Sequence, residues 1–167
     1  MQRRQCSPDE QSQFVGHMKR NTETGQWLLE KYNSGARLSR MEVAGAESIG
    51  ELTSFFKTLG PWHSETLTGR PRFLIREALS LLQGPAGQAD ADLSKRLSKV
   101  VAYERFFHDS ASDPMVTVVD FSDGSVVIDG NHTAMAAYLY TKDHQSWTLR
   151  LPVFVLAVDS LVAAELG

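Results

Sequence analysis

The sequence has a single cysteine, Cys6, among 167 residues. An internal disulfide is therefore excluded, and no Cys/His group has the spacing of a zinc site. No run approaches 18 apolar residues, so no membrane-spanning helix is expected. Two arginines near the start, Arg3 and Arg4, are not followed by an apolar stretch, and a secretory signal is not read there. A cytoplasmic protein is the expectation. The charge is not extreme, at 22% charged residues and a net −3, and 42% of residues are apolar, which argues against wholesale disorder. The length fits one domain with a single buried core.

The small net charge hides a gradient. Residues 1–40 carry seven Lys+Arg and four Asp+Glu, a balance of +3. Residues 41–108 carry eight of each, and residues 109–167 carry two basic and eight acidic side chains, a balance of −6. The acidic last third argues against a broad nucleic-acid footprint in that region.

The first hundred or so residues read as mainly helical. Ser7-Pro8-Asp9-Glu10 is a helix start, with a cap residue, proline at the first helical position and acids at the positive end. Phe14, Val15 and Met18 continue it. Trp27, Leu28, Leu29 and Tyr32 predict a second helix, stopped at Asn33-Ser34-Gly35. Leu38 to Val43 reads as a short strand. Ile49, Leu52, Phe55, Phe56 and Leu59 form an apolar stripe that ends at Gly60-Pro61. Pro71 is expected to open a helix with Leu74, Ala78, Leu81 and Leu82 on one face. Residues 84–88 read as a loop. Asp92 to Phe107 reads as a long helix, with Leu93, Leu97, Val100, Val101 and Phe107 inward.

From residue 114 the pattern becomes β-branched. Met115 to Phe121 and Ser125 to Ile128 predict a hairpin about Ser122-Asp123-Gly124. His132 to Tyr140 predicts an alanine-rich helix. Leu149 to Val158 predicts a third strand, in which Pro152 suggests a strand start or an edge. Ser160 is expected to cap a final short helix, Leu161 to Leu166. The fold class is α+β: one domain over 1–167, with a mainly helical part (1–108) packed on a small mixed sheet formed from 109–167.

The segment richest in chemistry runs from Val126 to Ala137. A buried strand passes through Asp129-Gly130 directly into a helix of small residues. Gly130 permits a sharp turn. The helix start offers backbone N–H groups and a positive dipole end, which suits a phosphate or carboxylate. Asp129, Gly130, Asn131, His132, Thr133 and Ala134 are the candidate phosphate-binding residues. Asp129 or Asn131 serving only as a turn or cap residue is the plainer alternative.

The hairpin, this turn, the helix and the strand Leu151-Pro152-Val153-Phe154-Val155-Leu156 resemble the ParB/sulfiredoxin-like superfamily over residues 113–158. In that superfamily the turn and helix N-terminus bind phosphates of ATP, ADP or CTP. Its members include sulfiredoxins, CTP-binding partition proteins, ParB-like nucleases and free-serine kinases. Sulfiredoxin chemistry needs a cysteine in the turn. Asn131 stands there, so that activity is excluded. The family's turn arginine aligns with Thr133, which removes a bidentate phosphate clamp.

Arg72 and Arg76, four apart on the expected Pro71 helix, are candidate replacements, with Arg105, Arg96 and Lys99 of the long helix as further ones. A phosphotransferase also needs a base. His132 is the leading candidate, since a helix start favours its neutral imidazole. Glu42 and Glu104 are the carboxylate candidates, and Asp129 is a candidate Mg²⁺ ligand beside the phosphates. His17, His63, His108 and His144 show no ligand spacing. Trp27, Trp62 and Trp147 read most simply as core or interface residues.

Two functional readings follow. The first is an enzyme that transfers phosphate from a nucleotide to a small-molecule acceptor or hydrolyses the nucleotide. The second is a non-catalytic nucleotide-sensing or protein- or DNA-interaction module, with a ParB-like nuclease or toxin as a further variant.

Overall fold

A computed structural model describes residues 2–20, 24–54, 72–108 (without the side chains of 106 and 108), 114–144 and 149–158. In chain order its elements are β1 (Arg4–Gln5), α1 (Pro8–Arg20), α2 (Thr24–Asn33), β2 (Arg37–Ala44), α3 (Gly45–Gly50), β3 (Thr53–Ser54) and β4 (Phe73–Leu74). There follow α4 (Ile75–Gln83), α5 (Pro85–Ala89), α6 (Ala91–Glu104), a 3₁₀ turn (Arg105–His108), β5 (Thr117–Phe121), β6 (Gly124–Asp129), α7 (Asn131–Asp143) and β7 (Arg150–Ala157).

The helix boundaries follow local chemistry. Ser7 and Glu10 form a reciprocal capping box on α1: the Glu10 N–H donates to Ser7 Oγ at 3.2 Å, and the Ser7 N–H donates to Glu10 Oε1 at 3.0 Å. At the end of α2, Gly35 adopts φ 103°, and the Ala36 N–H reaches back to the Lys31 carbonyl at 3.0 Å. This satisfies an otherwise orphaned carbonyl of the last turn. Asp90 caps α6 by accepting from the N–H groups of Asp92 and Leu93.

The sheet is mixed, in the order β1-β2-β7-β5-β6. β7 pairs antiparallel with β2 and parallel with β5. β3 and β4 form a separate two-stranded ladder. Period-2 alternation divides the apolar side chains between the two faces. Leu151, Val153 and Val155 of β7 pack with Val43, Val118 and Val127 against α3, α4, α6 and α7. Phe154, Leu156 and Val158 pack with Leu38, Val119, Phe121, Val126 and Ile128 against α1 and α2, through Phe14, Met18, Trp27 and Leu28. The α+β class is as expected, and helices cover both faces of the sheet. The mainly helical part also supplies strands: β1 and β2 join the sheet formed by β5, β6 and β7.

Several expectations are corrected. The helix expected from Pro71 begins at Ile75, because Phe73 and Leu74 pair in extended conformation with Ser54 and Thr53. Leu81 and Val101, expected inward, are 38% and 43% exposed. Residues 85–89 form the short helix α5, entered through Pro85 at its first position, where a missing N–H costs nothing. The stripe from Ile49 to Leu59 is broken: α3 ends at Gly50, Thr53–Ser54 is extended, and 55–60 lie outside the described residues. The expected final helix, 161–166, also lies outside them.

Pro152 is the third residue of β7, where the strand pairs with β2 alone. The Phe154 N–H donates to the Val116 carbonyl at 2.9 Å on the β5 side. Residues two apart point the same way, so the N–H that Pro152 lacks would face β5 one step beyond the point where that ladder begins, and no ladder bond is lost. Among the described residues, no helix is long and apolar enough to cross a membrane.

Candidate functional site

The strand-turn-helix at Asp129–Ala134 forms as the residues dictate. Gly130 takes φ 88° as the residue before α7, a backbone region that other residues avoid. The backbone passes so close to β5 that a Cβ at 130 would lie 2.5 Å from the Met115 carbonyl oxygen and 3.0 Å from Val116 Cα. The Gly130 carbonyl accepts the first helical bond, from the Ala134 N–H at 2.8 Å. No side chain caps this helix. Ala134, Ala136 and Ala137 are fully buried, and their small size brings α7 close to its neighbours.

Asp129 is turned away from the helix start. A register shift between Thr117 and Val118 places one extra residue of β6 in the ladder with β5. Such a bulge re-aims the side chains beside it. Asp129 Oδ2 consequently meets His17 Nε2 of α1 at 2.8 Å. A Mg²⁺ ion at Asp129 would have to compete with that contact. Asn131 donates from Nδ2 to the Val127 carbonyl at 3.0 Å, bracing the turn.

His132, in the first turn of α7, points toward α6. Its ring meets Tyr103 edge-on, with centroids 6.5 Å apart. Its Nε2 is buried without a hydrogen-bond partner among the described residues. Burial, followed by the charges of Arg96 and Lys99, pushes its pKa down to about 4. The imidazole is neutral at pH 7, as a helix start favours. Arg96, Lys99 and Tyr103 are three and four residues apart, so they form one stripe of α6. That stripe lies alongside the start of α7.

The other candidates are placed elsewhere. Arg72 precedes α4 and approaches Asp123 in the hairpin turn, at 3.7 Å. Asp123 and Gly130 bracket the whole of β6, which puts Arg72 about 20 Å from the α7 start. Arg76 is 3.7 Å from Glu51. It sits near Gly50 and Tyr138, two turns along α7 from Asn131. Glu42 pairs with Arg150 at 3.4 Å on β2, three strands from β6 and about 14 Å across the sheet. Glu104 ends α6 and Arg105 opens the 3₁₀ turn; both fall off the Arg96–Lys99–Tyr103 stripe. Thus the helix start faces the α6 stripe of Arg96, Lys99 and Tyr103, and not Arg72 or Arg76, nor either carboxylate. No group of three or more His, Cys, Asp or Glu side chains sits together among the described residues.

No family model, curated protein or solved structure matches this chain.

A second polar centre was not legible in sequence. Arg40 is 7% exposed, lies 4.1 Å over the Phe154 ring and approaches Glu10 through Nε at 3.3 Å. Arg4 binds the same carboxylate through two bonds, of 2.7 and 2.8 Å. This pairing is the main cause holding the Glu10 pKa down at about 2. Alternation along β2 puts Arg40 on the α1 face, but its partner comes from a helix cap thirty residues earlier. His63, Trp62 and Trp147, and the His108 side chain, lie outside the described residues. Trp27 is buried beside Phe121, as expected of a core residue.

Proposed function

We propose that this chain is a nucleotide-binding module of the ParB/sulfiredoxin-like kind, which seats the phosphates of ATP, ADP or CTP at the N-terminus of α7. The observation that carries the reading is the α6 stripe: Tyr103 meets the His132 ring in the first turn of α7, and Lys99 and Arg96 lie one and two turns before Tyr103 on the same stripe. A helix start without a side-chain cap, next to two cations, suits a phosphate. Arg96 takes the part that the family gives to the turn arginine, replaced here by Thr133.

The reading is of a sensor that binds nucleotide without turning it over. Glu42 is held by Arg150 across the sheet, and Glu104 is off the α6 stripe. His132 keeps Nε2 buried, without a hydrogen-bond partner among the described residues. Any Mg²⁺ would be carried mainly by the phosphates, because Asp129 is engaged with His17. The buried free thiol of Cys6 accords with a cytoplasmic setting.

The test is thermal unfolding with ATP, ADP, CTP and GTP at millimolar concentration, with and without Mg²⁺, in the wild type and in an Arg96→Ala/Lys99→Ala variant. A ligand at 100 times its Kd stabilises by about 2.7 kcal/mol. In a chain of this size that raises Tm by roughly 5–10 °C. A rise with one nucleotide, lost in the variant, is expected. No rise with any of the four overturns the reading.

A further inference from the structure

We infer that the outer edge of β2 is a self-pairing surface, through which a second copy of this chain joins the sheet antiparallel, about a two-fold axis at Val43. β2 pairs with β7 along its full length, Arg37 to Ala44, but with β1 only at Ser39 and Arg40. From Met41 to Ala44 no strand among the described residues lies on its outer side. The direction of the main-chain groups there follows from β7. The Phe154 N–H is turned to β5, where it donates to the Val116 carbonyl. Arg40, opposite Phe154, therefore turns its own N–H and carbonyl outward to β1, and Glu42 and Ala44 turn theirs the same way. Gly45 keeps the alternation, since its N–H goes inward to the Leu149 carbonyl at 3.1 Å. The Ala44 carbonyl, as the residue before α3, serves that helix's first turn. The Glu42 N–H and carbonyl and the Ala44 N–H have no main-chain partner among the described residues. Glu42 and Ala44 border an open cavity of about 790 Å³.

Such an edge can take up another strand, and the side chains beside it decide which. With the axis at Val43, Glu42 of each copy lies opposite Ala44 of the other, and their outward groups face each other. Arg150 stands behind Ala44, directly opposite it on β7. The row across the interface then reads Arg150, Ala44, Glu42 of the second copy. Arg150 and that Glu42 are two strand spacings apart, about 10 Å between backbones, with only the Ala44 methyl between them. Within one copy the Glu42 and Arg150 side chains meet at 3.4 Å and are 59% and 68% exposed. In the pair each Glu42 is bracketed by its own Arg150 and by Arg150 of the second copy. On the other face of the sheet Met41 meets Gly45 of the second copy, and a Cβ at 45 would find nothing within 4 Å. An axis at Glu42 would set two carboxylates directly opposite. It would also bring Ala44 of the second copy onto the place that Arg4 holds beside Arg40. An axis at Ala44 would need extended backbone beyond Gly45, where α3 runs. The patch is thus self-complementary in one register, as a two-fold contact requires. A strand carrying one sign of charge would answer only Glu42 or only Arg150.

The experiment is sedimentation velocity of the full chain from 5 to 500 μM in 100 mM salt. A dimer is expected with Kd on the order of 10–100 μM, as for an interface below the standard size. Arg150→Glu and Glu42→Arg each place like charges across the interface. Each should weaken association at least tenfold with an unchanged circular dichroism spectrum. The double reversal, Glu42→Arg/Arg150→Glu, returns opposite signs to the row and should restore the dimer. Lys95→Glu, an exposed charge reversal on α6, should leave association unchanged. A monomer throughout the range overturns the inference. So does a dimer indifferent to both single reversals, which would form through another surface, or a double reversal that associates no better than the single ones. The inference does not rest on the nucleotide reading, and the Arg96→Ala/Lys99→Ala variant should dimerise as the wild type does.

Discussion

His17 and Asp129 are 112 residues apart in the chain and 2.8 Å apart in the fold. The contact ties α1, on one face of the sheet, to the turn that launches α7 on the other. It exists because the bulge in the β5–β6 ladder presents Asp129 to α1. The helix that bears Lys19 is thereby fastened to the turn that bears Gly130.

A double-mutant cycle measures that fastening. The two side chains are 29% and 13% exposed, so solvent screens the pair only in part. His17→Ala and Asp129→Ala, singly and together, should give a coupling of about 0.5–1 kcal/mol in urea unfolding. Strict additivity of the two substitutions would show that the pair is incidental.

Gly130→Ala should be costly out of proportion to its one carbon. The left-handed φ and the 2.5 Å approach to the Met115 carbonyl both oppose a Cβ. A loss of about 1–3 kcal/mol is expected, with Tm lower by roughly 2–12 °C. Calorimetry of this variant beside Gly16→Ala, where a Cβ meets nothing within 4 Å, separates crowding from a general effect of removing glycine.

Acid should weaken the protein through His132. Its pKa is about 4 when folded and near 6.5 when unfolded, because burial and the α6 cations oppose its protonation. Between those values the unfolded chain binds more protons, so stability falls as pH drops from 6.5 toward 4 and is unaffected by this group above 6.5. The full loss is on the order of 3 kcal/mol. Glu10 acts in a lower window, losing its contribution as pH falls from 4.5 toward 2. Urea midpoints at pH 7 and pH 4.5 should differ clearly in the wild type and much less in His132→Gln. Equal pH dependence in the two proteins would falsify the assignment.

Local chemistry in the sequence announces much of this fold. The Ser7 cap, the Gly35 stop, the Ser122-Asp123-Gly124 turn and the Asp129-Gly130 break each mark an element boundary where the structure has one. What the sequence conceals is pairing at a distance. Arg72 and Arg76 share a helical spacing on paper, yet Arg72 lies in the extended approach to α4, so their side chains go to Asp123 and Glu51. Arg96 and Lys99 are legible as cations on a long helix, but not as neighbours of His132, because that depends on how α6 lies against α7. His17 carries no signal of its partner. Residues 84–88 look like a loop because two glycines and a proline outweigh one favourable helix start.

The position of β7 bears on how the chain assembles. Its eight residues come last among the described strands, yet they occupy the middle of the sheet. Leu38 waits for Leu156, and Val119 waits for the same residue from the other side. Until β7 arrives, β2 and β5 are unsealed edges whose apolar side chains have no common layer. Pairings so remote in sequence make for slow folding, and an incomplete chain should be prone to capture by any free strand. Completion of the domain is therefore a late, all-at-once event that closes both cores together.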